Sequence, residues 1–283
     1  MKKFIYSILL AALTQFSTQT FASTSLEPCN TAECQEYFKA YKILTKRGHS
    51  EAMATLGELY YTGYGTDKDI KQALKWFRRA AKFGIVTAQY KAGVMYLQET
   101  DYKDVDKGIG YLKKASKIEF SPASFILGKV YLGDTFGVKN NKKADYWLSH
   151  AYELNNYQAK NFARKLFVSK SRDTFQMPRL YSLIANDIST SQFNADDLNS
   201  PKGEMEVITV SAPDYQAYFD AEIARLNNIE PDTKSGTGSN IAGNSCAKLW
   251  GCSTEGSSDR VRDVLLSDWG RESGQFRIDG GNW

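Results

Sequence analysis

Gly48-His49-Ser50-Glu51-Ala52 opens a segment that runs through Leu56-Gly57, Tyr60, Gly63-Tyr64-Gly65 and Ala73-Leu74-Lys75-Trp76-Phe77 to Ala80-Ala81 and Gly84, and its spacing returns twice downstream. Ala52, Ala88, Ala123 and Ala159 lie 36, 35 and 36 positions apart, and the series Gly57, Gly93, Gly128 and Tyr60, Tyr96, Tyr131 keep step with them. A repeat of this length predicts a solenoid, because one hairpin cannot bury its apolar face alone and needs neighbours to close the core. Solenoids of this kind mostly bind.

Each period carries two apolar stripes of helical spacing. In the first, Ala52, Leu56, Gly57 and Tyr60 share one side. Gly63-Tyr64-Gly65 then breaks the helix, since glycine tolerates the left-handed backbone that a helix end and a tight turn require. Asp67 to Asp69 supplies a start for the second helix, in which Ala73, Trp76-Phe77 and Ala80-Ala81 pack back on the first. Ala144, Trp147 and Ala151 follow 71 residues after Ala73, Trp76 and Ala80.

The pattern A-x3-LG-x2-Y-x2-G-x-G followed by KALKWF-x2-AA-x2-G resembles the Sel1-like repeat (SLR), a relative of the tetratricopeptide repeat. The first copy matches over nearly its whole length. The second, Gly84 to Glu119, lacks the glycine-rich turn and has Gly108-Ile109-Gly110-Tyr111-Leu112 in place of the usual start of the second helix. The third runs from Phe120 to Asn155, and a degenerate fourth begins at Tyr157-Gln158-Ala159, with Arg164 where glycine is expected. The resemblance implies an all-α, right-handed superhelical α/α solenoid over residues 48–170, with a less ordered C-terminal tail. In such proteins the first helices line the concave side. Positions three, six and ten after the repeat alanine fall opposite the buried stripe, so Thr55, Glu58, Thr62, Lys91, Val94, Gln98, Ile126 and Lys129 are the candidate partner-binding face.

Residues 1–22 read as a secretory signal: Lys2-Lys3, an apolar stretch from Phe4 to Leu13, and a polar run ending in Thr20-Phe21-Ala22. The expected location is the periplasm or the exterior. Residues 23–47 form an N-terminal cap, a lone second helix with Tyr37, Phe38, Tyr41 and Leu44 on its apolar face. Four cysteines, Cys29, Cys34, Cys246 and Cys252, point to disulfides in an exported chain. Of the three possible pairings we favour Cys29–Cys34 with Cys246–Cys252, small loops that staple chain ends. Zinc is the competing reading, but the spacings are not C-x2-C.

Residues 171–230 read as C-terminal helices and a short strand. Arg179 to Ile188 is a candidate capping helix, Met205 to Ser211 alternates like a strand, and Tyr215 to Leu226 is amphipathic with Tyr218, Phe219, Ile223 and Leu226 on one face. Glu206 to Ala212 also resembles a TonB box, although an ordinary edge strand accounts for it as well. Residues 231–283 are a Gly/Ser/Asn-rich linker and a cystine-containing tail, with a candidate helix from Asp259 to Trp269.

The formal charge of +4 hides an asymmetry. Residues 23–170 carry 24 Lys+Arg against 15 Asp+Glu, and residues 171–283 carry 10 against 17. No nucleic-acid recognition motif accompanies the basic half. Solvated helix faces explain it, and a sharper expectation is that the acidic part docks on the basic solenoid.

Chemistry is sparse. The two histidines, His49 and His150, read as helix-end or surface residues. There is no G-x-S-x-G elbow, H-E-x-x-H or Walker loop. The expectation is no enzyme, no metal and no cofactor. Some exported SLR proteins with a cysteine pair in each repeat are weak penicillin-binding hydrolases, but no repeat here contains cysteine. The sequence therefore predicts an exported scaffold or adaptor that binds another protein or peptide of the bacterial envelope, with no membrane span and no nucleic-acid partner. The alternatives are a structural part of a periplasmic machine of the flagellar-motor or polysaccharide-export type, or a secreted effector.

Overall fold

The structure, a computed structural model, describes residues 26–168, 176–190 and 214–232. The signal-like segment, the Met205–Ser211 stretch with its TonB-like residues, the Cys246–Cys252 pair and the Asp259–Trp269 segment lie outside these. The described residues form α-helices and no strand, in the order α1 (Ala32–Arg47), α2 (Ser50–Thr62), α3 (Ile70–Lys82), α4 (Val86–Gln98), α5 (Val105–Ser116), α6 (Ser121–Leu132), α7 (Asn141–Glu153), α8 (Tyr157–Val168), α9 (Pro178–Thr190) and α10 (Tyr215–Asn227). Each helix from α1 to α8 packs on the next, as a solenoid requires.

One clamp recurs in each hairpin. The residue that starts the second helix, Asp69, Asp104 or Asn140, donates its backbone N–H to the carbonyl of the repeat tyrosine, Tyr60, Tyr96 or Tyr131, at 2.8, 2.8 and 2.7 Å. Its side chain then accepts the N–H three residues on, from Gln72, Lys107 or Lys143. An N-cap of this type satisfies an orphan donor and is worth about 1 kcal/mol. The repeat glycine explains the close approach of the two helices. A Cβ on Gly57 would lie 2.9 Å from the Phe77 ring, and one on Gly128 would lie 2.5 Å from Leu148 Cγ. In the second repeat the approach is mutual, because Gly93 meets Leu112 and Gly108 meets Leu97. Gly108, where the other repeats have Ala73 and Ala144, is an adjustment of helix spacing.

The two ends are closed differently. At the C-terminal end α9 packs on α7 and α8, completing the fourth hairpin that the sequence left without a second half. Asp145 of α7, buried, accepts the backbone N–H groups of Arg179 and Leu180 at 3.1 and 2.9 Å and so caps α9 from another helix. Tyr152 donates to Asp187, and Arg179 grips Glu153 with both bonds at 2.9 Å.

At the N-terminal end Cys29 and Cys34 form a disulfide. Cys29 also bonds Gly63 and Gly65 through its backbone, fastening the lead-in segment to the α2–α3 turn. Gly65 has φ +69°, and a Cβ there would lie 2.1 Å from the Cys34 carbonyl oxygen, so only glycine fits.

Candidate functional site

The predicted partner face is largely closed. Thr55, Glu58, Lys91, Val94 and Ile126 are buried, Thr62 and Lys129 are half-buried, and of the eight only Gln98 is exposed. Thr55 and Thr62 turn their hydroxyls back to the carbonyls of Glu51 and Glu58. Val94 and Ile126 belong to the apolar core. Lys91, 0% exposed, is ion-paired with Glu58 of the preceding first helix and lies 5.8 Å from the Phe77 ring centroid. Lys129 stands over Phe162, where burial and then the nearby Lys165 lower its pKa.

The reason is that first helices are enclosed from both sides. Every residue of α4 from Thr87 to Leu97 is buried. The sequence carried the signal: α4 has one charge in thirteen residues, whereas α3 has five, Lys71, Lys75, Arg78, Arg79 and Lys82. A helix with almost no charge on any side belongs inside.

Both histidines stand at helix ends, as the sequence suggested. His49 stands at the N-cap of α2 but is 3% exposed, and burial lowers its pKa. His150 is half-buried, its Nδ1 3.0 Å from Ser124 Oγ, which in turn is 2.6 Å from Ser116 Oγ. This relay ties α5, α6 and α7 together.

An open site lies on the second helices. A cleft of about 550 Å³ is bounded by Lys71, Lys75 and Arg78 of α3 and by Lys103 and Lys107 at the start of the next second helix. Its walls include Tyr96 and Tyr102, and its acids are Asp101 and Asp104. Asp104 is already engaged, holding the Lys107 ammonium at 2.7 Å and capping α5. Those two bonds keep its carboxyl below the usual range. The cleft therefore presents a positive surface, with long side chains exposed and an aromatic wall behind them. Lys71, Lys75 and Arg78 share one face by their spacing of four and three, which the sequence displayed. The segment Glu99 to Asp104, with its short 3-10 turn at Thr100–Tyr102, replaces the missing glycine turn and closes the cleft's other side.

A second built surface is the groove between α1 and α2, filled by α10. Phe219 is 0% exposed, with its ring centroid 5.3 Å from Tyr37 and 5.5 Å from both Tyr41 and Tyr64. Tyr37 donates to Asp220 at 3.0 Å, and burial together with that bond pushes its phenol up to about 12. Arg225 joins Glu222 and Glu51, Arg47 reaches Asn227, and Asp232 accepts from the N–H and hydroxyl of Ser50. These pairs set α10 parallel to α1 and antiparallel to α2. Residues 214–232, a short part of the acidic half, pack here with an aromatic centre, and the acidic tail beyond them lies outside the described residues.

A family model for the Sel1 repeat matches residues 50–82, 86–117 and 121–156. The chain contains three Sel1 repeats. The three matched spans are the hairpins α2–α3, α4–α5 and α6–α7. Sel1 repeats indicate a scaffold for protein–protein contact. A Sel1 repeat protein from Oxalobacter formigenes, solved by crystallography, is 24% identical over 59% of this chain and 65% of its own, with a TM-score of 0.46. A protective antigen present in uropathogenic Escherichia coli strains and displaying an SLR fold is 20% identical over 68% of this chain and 41% of its own, with a TM-score of 0.47. This chain thus spans 65% and 41% of the two solved chains. The comparison with curated proteins found no match. No helix among the described residues is long and apolar enough to cross a membrane.

Proposed function

We propose that this Sel1-repeat chain is an exported, non-catalytic scaffold that holds another protein of the bacterial envelope by an acidic segment laid in the cleft between α3 and the Glu99–Lys107 stretch. The cleft is the observation that carries the reading. Five cationic side chains, from Lys71, Lys75, Arg78, Lys103 and Lys107, converge on one concave surface beside tyrosine rings. Such a surface attracts carboxylates over a Debye length and holds them by charge-assisted hydrogen bonds at contact. Export is supported by the charged and apolar opening of the chain and by the Cys29–Cys34 bridge, a bond that persists in oxidising compartments.

The test is in-cell cross-linking of the tagged full chain, followed by the same experiment with Lys75→Glu and Arg78→Glu. Both side chains are exposed, so the fold survives their reversal. We expect one principal cross-linked protein with the unaltered chain, at least tenfold less with the double variant, and the tagged protein in the periplasmic fraction or the medium. Equal cross-linking by the variant removes the cleft from the reading. Retention of the tagged chain in the cytoplasm removes export.

A further inference from the structure

The sequence by itself placed α10 as one more amphipathic helix after the repeats. The structure gives it a seat, and the seat has the features of a recognition groove. The apolar anchors of α10 that are buried, Phe219 and Leu226, are seven residues apart, with buried Glu222 between them at the third position. This is the spacing with which an amphipathic helix lays one face into a groove. The groove itself belongs to the solenoid: Tyr37, Tyr41 and Leu44 from α1, Ala52, Leu56 and Leu59 from α2, and Tyr64 after it. Its rim reads polarity, since Ser50 and Tyr37 donate to carboxylates and Glu51 accepts from a guanidinium.

The fit between groove and strap is incomplete at Tyr41. The hydroxyl of Tyr41, a side chain 0% exposed, has no hydrogen-bond partner among the described residues. The groups of α10 that face it electrically are Tyr218, Glu222 and Arg225. Glu222 is occupied by Arg225, with bonds of 3.0 and 2.6 Å, and makes no hydrogen bond to that hydroxyl. A buried phenol without a partner loses the water it would otherwise bond and gains nothing in return. A helix with the same anchors and an acceptor aimed at Tyr41 would satisfy it.

We propose that the α1–α2 groove is a helix-binding site, occupied in cis by α10 and able to take, in its place, an amphipathic helix of a partner protein. The partner helix carries an aromatic residue at position i, an acceptor at i+3 and leucine at i+7, with a basic residue beside the acceptor to meet Glu51. It runs antiparallel to α2. This deepens the scaffold reading by adding a second surface of stated chemistry, and it depends neither on the lysine cleft nor on where the protein resides.

The test uses the full chain and a fluorescent synthetic peptide of residues 214–232. Attachment in one chain gives α10 an effective concentration on the order of millimolar, so micromolar peptide competes poorly with it. Unaltered protein should bind the peptide weakly. Phe219→Ala with Leu226→Ala, which empties the anchors and leaves the groove intact, should bind it at least tenfold more tightly. Arg225→Ala, a milder loosening, should move affinity the same way by about threefold, and it serves where the double variant lacks a cooperative melt. Adding Ala52→Glu to a loosened chain should abolish uptake. Equal affinity of the unaltered and loosened chains overturns the proposal. So does a dimer of the unaltered chain by light scattering that the Phe219→Ala, Leu226→Ala changes dissolve, because α10 would then be an exchanged dimerisation element.

Discussion

First and second helices of the same hairpins carry charge to opposite ends. On the first helices Glu58 and Lys91 are buried and paired with each other, and Glu51 is covered by Arg225. On the second helices Lys71, Lys75 and Arg78 stand in solvent and line a cleft. The same residue type therefore has a structural task in one row and stands exposed in the other. Which row a lysine is on decides more about it than its own identity.

The sharpest way to break that contrast is to delete one lysine from each row. Lys91→Ala should destabilise the fold by about 3–5 kcal/mol, because Glu58 loses its buried counter-charge. Lys75→Ala should stay within about 0.5 kcal/mol, as exposed substitutions do. Urea unfolding of both variants checks the pair, and similar midpoints would erase the distinction. Replacing both partners, Lys91→Met with Glu58→Leu, should recover most of the loss.

Glycines sharpen the comparison at smaller cost. Gly128 faces Leu148 at a distance no Cβ tolerates, so Gly128→Ala should destabilise by about 1–3 kcal/mol through overpacking. Gly110, on an exposed turn of α5, has nothing within 4 Å of such a Cβ. Gly110→Ala should stabilise by about 0.5–1 kcal/mol, since helix interiors favour alanine. Thermal unfolding of the two reads opposite signs.

The C-terminal end depends on a charge placed between rows. Asp145→Ala removes the carboxylate that caps α9 and should cost about 1–2 kcal/mol. Hydrogen exchange should show α9 opening ahead of α7, while uniform opening would assign Asp145 no special hold on α9.

The smallest effect is titration of His49. Burial lowers its pKa in the folded chain, and Arg47 and Arg225 act in the same direction while Asp232 opposes them. The unfolded chain therefore binds the proton more readily than the folded one. Stability from this group is present above the ordinary histidine pKa of about 6.5 and falls as pH drops through it. Melting temperatures measured from pH 7.5 to 5.5 should decline, and His49→Asn should flatten that slope. An unchanged slope would show that His49 is not its source.

Much of the candidate surface was legible, but under the wrong heading. Positions three, six and ten after the repeat alanine do lie opposite Ala52, Leu56 and Tyr60, as helical geometry requires. That geometry says nothing about what stands on the far side. The missing signal was the scarcity of charge around the whole circumference of α4, set against five cations in α3. Lys71, Lys75 and Arg78 were equally visible as a row. Their cleft was not, because its second wall is the irregular turn from Glu99 to Asp104, a stretch with no period of its own.

The sequence alone determined the repeat, its register and the positions where helices touch. A step of 35 or 36 residues, with glycine and alanine at fixed places, permits only close-packed hairpins in series. It also marked Phe219 and Leu226 as one apolar face. Only the tertiary structure decided where that face goes and which charges are buried. Local pattern records that a surface must be covered; the covering group comes from a distant part of the chain. Tyr37 and Asp220, or Glu51 and Arg225, are joined by packing across most of the sequence.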